Sequence, residues 1–158
     1  MTDSSNSGYD EIHLLLSTPG STVAEGIALY NMIRALPLRV VTYNFGSVNS
    51  IGNVVYQASA KRIAATDSSF MFHGVSIDFD NTRMDLKHLQ ERAEGLKIDQ
   101  SMICDIMVRH TNLNGANTHR LFLEMAYLNV HEALLSGIID EVKDIHFPPG
   151  LPIRHILL

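Results

Sequence analysis

Short runs rich in β-branched and aromatic residues alternate with runs of helical periodicity, and this alternation restricts the chain to an α/β architecture. The pattern predicts strands at 12–17, 39–45, 62–66 and 69–73, and helices at 22–35, ended by Pro37, and at 50–60. Further on, Thr82-Arg-Met-Asp85 has the form of a helix cap. Leu86, Leu89, Ala93, Leu96, Ile103 and Met107 then recur at helical spacing over about seven turns. A helix that long overhangs a domain this small. A last helical region at 116–136 is closed by Gly137 before a strand at 138–142.

Two glycine turns interrupt this alternation where chemistry is usually placed. Gly46-Ser-Val-Asn-Ser50-Ile-Gly52 sets one serine between glycines where a hydrophobic strand gives way to an apolar helix. Ser50 is thereby expected at a helix N-terminus, whose free N–H groups and dipole can hold a developing oxyanion. Serine is also a common N-cap and glycine a common turn residue, so the motif gains its meaning from two further elements. The first is Pro19-Gly20-Ser21, a turn between a buried strand and a helix whose Thr22 and Glu25 have capping-box spacing. The second is Ser69-Phe-Met-Phe-His73, a short strand ending in a histidine, where an α/β protein presents a base. Ser50, His73 and backbone N–H groups from two turns make up the set that acyl transfer requires.

These segments resemble the Clp protease proteolytic subunit, a serine peptidase family of the ClpP/crotonase superfamily. Residues 17–22 (Ser-Thr-Pro-Gly-Ser-Thr) are similar to its Ser-Pro-Gly-Gly-Ser segment, and residues 46–52 to its Gly-x-x-x-Ser-Met-Gly nucleophile motif. Ala60-Lys-Arg-Ile and Phe70-Met-Phe-His73 are similar to the stretch leading to its histidine. His110-Thr-Asn, Leu128-Asn-Val-His-Glu-Ala133 and Gly137-Ile-Ile-Asp140 follow its closing pattern, so the resemblance runs from about residue 12 to 143. It implies a repeated ββα spiral with a long protruding handle helix at about 82–110. It also implies a flexible segment at 1–11, one domain at 12–144 and an extended tail at 145–158. Ser50 and His73 take the catalytic positions, the N–H groups of Ser21 and Ile51 form the oxyanion hole, and Gly20, Gly46 and Gly52 shape the turns.

The chain departs from the family at three points. A gap-free reading from His110 to Ala133 puts Met125 where the triad acid belongs, and a thioether cannot replace a carboxylate. Glu124, Asn129 or a backbone carbonyl is left to orient His73. Replacing the acid of such a triad by an amide costs roughly 10⁴-fold in kcat. The Pro-Gly-Gly turn has become Pro19-Gly20-Ser21, which keeps the N–H and loses freedom at positive φ. The chain also starts later than family members, which carry a further strand, helix and axial loop.

Composition bears on partners. With 46% apolar residues in 158, the chain can bury one good core. Only 18% are charged, which points to surface covered by neighbouring subunits, and the net charge of −5 argues against nucleic acid. The single cysteine, Cys104, excludes an internal disulfide and fits a reducing compartment. No secretory leader or membrane-length apolar run is present, so a cytoplasmic location is expected. Histidines other than His73 are scattered, Asp78, Asp80 and Asn81 read as a helix cap, and neither a metal nor a cofactor is expected. The resemblance implies two functions. One is a weak serine peptidase acting on peptides or unfolded proteins inside a homo-oligomeric ring of six or seven subunits, single or stacked in pairs, to which an ATP-driven unfoldase would feed substrate. The other is an inactive structural subunit of such a ring. Acyl-CoA chemistry on the crotonase fold, which needs no serine nucleophile, is disfavoured by Ser50 and His73.

Overall fold

The computed structural model describes residues 8–79, 83–150, 152 and 154. Strands β1 (Glu11–Thr18), β2 (Arg39–Asn49), β3 (Lys61–Ala64), β4 (Ser69–Met71), β5 (Tyr127–Asn129) and β6 (Glu141–Val142) form one sheet in the order β5-β4-β2-β3-β6, with β1 also on β2. All described pairings are parallel except β4 with β5. The helices are α1 (Val23–Ala35), α2 (Gly52–Tyr56), α3 (Leu86–His110), α4 (Gly115–Leu123) and α5 (Val130–Leu135).

Strand β2 organises the site. Its first half pairs with β3 through residues 41–44, and its second half pairs with β4 through residues 47–49. The handover is held by Asn44, which is fully buried. Its Nδ2 donates to the Ser69 carbonyl at 2.8 Å, and its Oδ1 accepts from the Gly46 N–H at 3.0 Å. Gly46 is thus inside a strand, not at its end, because β4 supplies the hydrogen bonds that β3 no longer can. Two other expectations are corrected. The helix expected at 50–60 is only α2, since the backbone leaves it at Gln57 and turns at Ser59, whose hydroxyl donates to the carbonyls of Tyr56 (3.2 Å) and Lys61 (3.0 Å). The region expected as one helix at 116–136 divides into α4, β5 and α5, because Met125 takes φ 49° and Asn129 starts a new capped helix.

The long helix begins later than expected. Asp80, Asn81 and Thr82 lie outside the described residues, and Asp85 is the cap, its side chain accepting from the His88 N–H at 3.0 Å. The 25 residues of α3 span about 37 Å at 1.5 Å per residue. Only Ile103, Ile106 and Met107 are buried, so its C-terminal third is anchored in the core while Leu86, Leu89, Ile98 and Met102 stay exposed. The main core, with Val48, Val54, Tyr56, Phe70, Phe72 and Met107, lies on that side of the sheet. On the other face Val41, Tyr43 and Ile63 pack against Ile145 and Phe147, which fixes the first residues of the tail to the body. Among the described residues no helix is long and apolar enough to cross a membrane.

Candidate active site

Ser50 closes β2 in a left-handed conformation with φ 55°, a region that costs a non-glycine residue about 1–3 kcal/mol. The turn is held from several directions. The Ser50 N–H donates to the Met71 carbonyl at 2.8 Å, and the Ser50 carbonyl accepts from the Asn53 N–H and Nδ2, each at 3.1 Å. Asn53 Nδ2 also donates to Met71 O at 2.8 Å, tying nucleophile turn and β4 together. Ser50 precedes the N-cap of α2, which is Ile51, so it stands one residue further out than the sequence suggests.

The Pro19-Gly20-Ser21 turn packs directly on this serine. A Cβ at Gly20 would lie 2.7 Å from Ser50 Cβ and 3.3 Å from its Oγ, and Gly20 has φ 103°. Positive φ is therefore needed at Gly20 alone, and the serine at position 21 has no conformational penalty. Ser21 Oγ instead donates to Glu25 Oε2 at 2.6 Å beside Thr22 Oγ1 at 2.9 Å. These hydroxyl bonds hold the Glu25 carboxyl below its ordinary pKa. Ser21 and Ile51 both line a cavity of about 570 Å³, and among the described residues neither backbone N–H donates a hydrogen bond.

His73 lines the same cavity two residues beyond β4. Its Nδ1 lies 2.8 Å from the Gly74 carbonyl. A carbonyl only accepts, so Nδ1 carries a proton, and in the neutral ring the lone pair is on Nε2. Among the described residues no hydrogen bond joins His73 to Ser50. The β4–β5 pairing sets Ser69 against Asn129 and Met71 against Tyr127, and the Phe72 N–H reaches the Ala126 carbonyl at 2.8 Å. Met125 lies two residues before β5 in a left-handed turn, so the described ladder ends short of a strand partner for His73. Asn129 is at the far end of the ladder, accepting from the N–H groups of His131 and Glu132 at 2.9 and 3.0 Å. Glu124 is the exposed C-cap of α4. The described acceptor for His73 is thus the backbone carbonyl.

The sequence profile of the Clp protease family matches residues 2–146. The chain belongs to the Clp protease family. Its relatives include the ATP-dependent Clp protease proteolytic subunit of Deinococcus radiodurans, 32% identical over 136 residues, which are 85% of this chain and 65% of that one. Proteolytic subunit 1 of Streptomyces avermitilis is 26% identical over 136 residues, covering 85% of this chain and 61% of the relative. The chain spans less than two thirds of the length of these curated relatives. Among solved structures, an Asn-to-Asp mutant of ClpP1 from Listeria monocytogenes superposes with a TM-score of 0.79 at 20% identity, over 89% of this chain and 77% of that one. The fold is the ClpP fold.

In this Clp protease family member two further glycine positions admit a neighbouring side chain, one inside the serine motif and one outside it. Gly52 admits Thr18, whose Cγ2 would lie 2.6 Å from an added Cβ. Gly26, inside α1, admits Ile51, whose Cγ1 would lie 2.1 Å from one. Gly26 carries a sequence signal of its own, since a glycine inside a helix costs about 1 kcal/mol relative to alanine and so marks close packing.

Proposed function

We propose that the chain is a serine-type peptidase subunit whose catalytic power is reduced by the lack of a triad carboxylate. The observation that carries this reading is that Ser50, His73, Ser21 and Ile51 line one cavity, with His73 Nδ1 engaged by the Gly74 carbonyl and the Ser21 and Ile51 N–H groups undonated among the described residues. Ser50 Oγ attacks the peptide carbonyl while its proton passes to His73 Nε2. The oxyanion is held by the N–H groups of Ser21 and Ile51. Collapse breaks the C–N bond as His73 returns the proton to the leaving amine, and water then hydrolyses the ester by the same route in reverse. The Gly74 carbonyl performs the tautomer-fixing part of the acid's task but supplies no charge to the imidazolium.

The same reading includes assembly: a homo-oligomeric ring, stacked in pairs through α3, that takes unfolded chains from an ATP-driven unfoldase in the cytoplasm. The exposed apolar residues of α3 support it. The second reading, a structural subunit without activity, is favoured by the exposed Met125 in the place expected for the acid. Labelling with a fluorophosphonate separates the two. The peptidase reading expects slow modification of the wild type and none of Ser50→Ala, whereas an unlabelled, folded, ring-forming wild type establishes the structural one.

A further inference from the structure

The carbonyl that holds His73 is half of a peptide group whose other half is also held. Gly74 O and the Val75 N–H belong to one planar amide. Its oxygen lies 2.8 Å from His73 Nδ1, and its N–H donates to Gln100 Oε1 on α3 at 3.1 Å. Gln100 is itself oriented: an N–H must face its oxygen, and its Nε2 donates to Cys104 Sγ one turn on at 3.4 Å. The sequence position is also unusual. Residues 96, 100, 103 and 107 form one stripe of α3, and Gln100 is the polar member among Leu96, Ile103 and Met107. Gln100 is half-buried at the point where this stripe enters the core, and its oxygen accepts from the Val75 N–H there.

We infer that Gln100 is a positioning residue for His73: it fixes the plane of the 74–75 peptide and so directs the carbonyl lone pair that holds Nδ1–H. The inference rests on the peptidase reading of Ser50 and His73. Glycine at position 74 leaves this peptide free to rotate unless something restrains it. A bond accepted from the N–H end of an amide also strengthens its oxygen as an acceptor. Gln100 therefore favours the Nδ1–H tautomer and stabilises the imidazolium formed when Ser50 is deprotonated. In effect the triad acid is replaced by a peptide group braced from the long helix.

The test compares the intact wild-type chain with Gln100→Met, close in size without the acceptor, and Gln100→Glu, which keeps the acceptor and adds charge. Two readouts are used: ¹⁵N NMR of the His73 ring, and the pH profile of Ser50 labelling by a fluorophosphonate. Asp78, Glu91, Arg92 and Asp99 line the same cavity and stay constant across the series. In Gln100→Met the Nε2–H tautomer should gain population, labelling should slow about tenfold to a hundredfold, and the midpoint of the profile should move to lower pH. In Gln100→Glu the Nδ1–H tautomer should return and the midpoint should rise above that of the wild type. An unchanged tautomer ratio in folded Gln100→Met, or a Gln100→Glu ring that behaves like the Met variant, overturns the inference. If wild-type Ser50 is inert, the peptidase reading fails and the tautomer shift alone still decides the role of Gln100. If Gln100→Met does not fold, the His73 pKa of Gln100→Glu against the wild type decides it, with no rise counting against.

Discussion

Restoring a carboxylate by Met125→Asp should raise the reactivity of Ser50 roughly tenfold, far short of the full contribution of a triad acid. The backbone favours the change. Met125 has φ 49°, where aspartate is several-fold enriched over apolar residues, so the substitution relieves local strain. The gain can be sized for a carboxylate brought about 5 Å from the imidazolium, the spacing of facing side chains on neighbouring strands. At that separation a carboxylate and an imidazolium attract by about 3 kcal/mol with an effective dielectric of about 20, and by about 0.8 kcal/mol in bulk water. Met125 is 59% exposed, which selects the lower part of that range, roughly 1–2 kcal/mol. About 1.4 kcal/mol is one pKa unit on His73 or tenfold in rate. The loss of about 10⁴ caused by an amide at the acid position is largely a tautomer error, and here the Gly74 carbonyl already prevents that error. The assay is the second-order rate of fluorophosphonate labelling from pH 5 to 9, with Ser50→Ala as the blank. A gain of 10³ or more would show that the carbonyl does not hold the tautomer. No gain in a folded variant would show that residue 125 does not face His73.

Ser50→Gly should unfold about 1 kcal/mol later than Ser50→Ala in denaturant titrations, because only glycine accepts φ 55° without strain, while both variants resist labelling. Gly26→Ala should destabilise the chain despite the better helix propensity of alanine, since its Cβ would meet Ile51 Cγ1 at 2.1 Å; labelling should fall with it as the Ile51 N–H is displaced. His110 supplies a pH dependence. Burial, then the charges of Arg34, Arg62 and Arg109, push its pKa below the ordinary 6.5, and its Nε2 accepts from Tyr30 Oη at 2.8 Å. The unfolded chain then binds the proton more readily, so this contribution is fully present above about pH 6.5 and is lost as pH falls through the folded pKa. Thermal melts should show that loss in the wild type and a reduced loss in His110→Gln.

How far the sequence could be read depended on whether a single residue or a distant partner set the local structure. Ser50 and Gly20 were legible because glycine flanks a serine at a strand end, and the structure packs the Gly20 turn directly on Ser50. The extension of β2 through Gly46 was not, because it depends on β4 taking over from β3, a pairing distant in sequence. The break at Met125 was hidden by apolar residues that continue at helical spacing across it. A better signal was present in Asn129-x-x-Glu132, whose reciprocal cap starts α5. Gln100 interrupts the apolar stripe of α3, but periodicity alone cannot say which backbone group would come to meet it.

The anchoring of α3 at one end makes the helix a lever. Its pivot is the buried turn around Ile103, Leu86 lies about 25 Å from that point, and Gln100 lies about 4.5 Å from it on the same arm. Displacements at the free end therefore arrive at Gln100 reduced about sixfold. A swing of about 3 Å at Leu86 would shift Gln100 by about 0.5 Å, enough to carry its 3.1 Å bond with the Val75 N–H to the edge of hydrogen-bonding range. With Gln100 in the positioning role inferred above, whatever grips the outer end of this helix has purchase on His73.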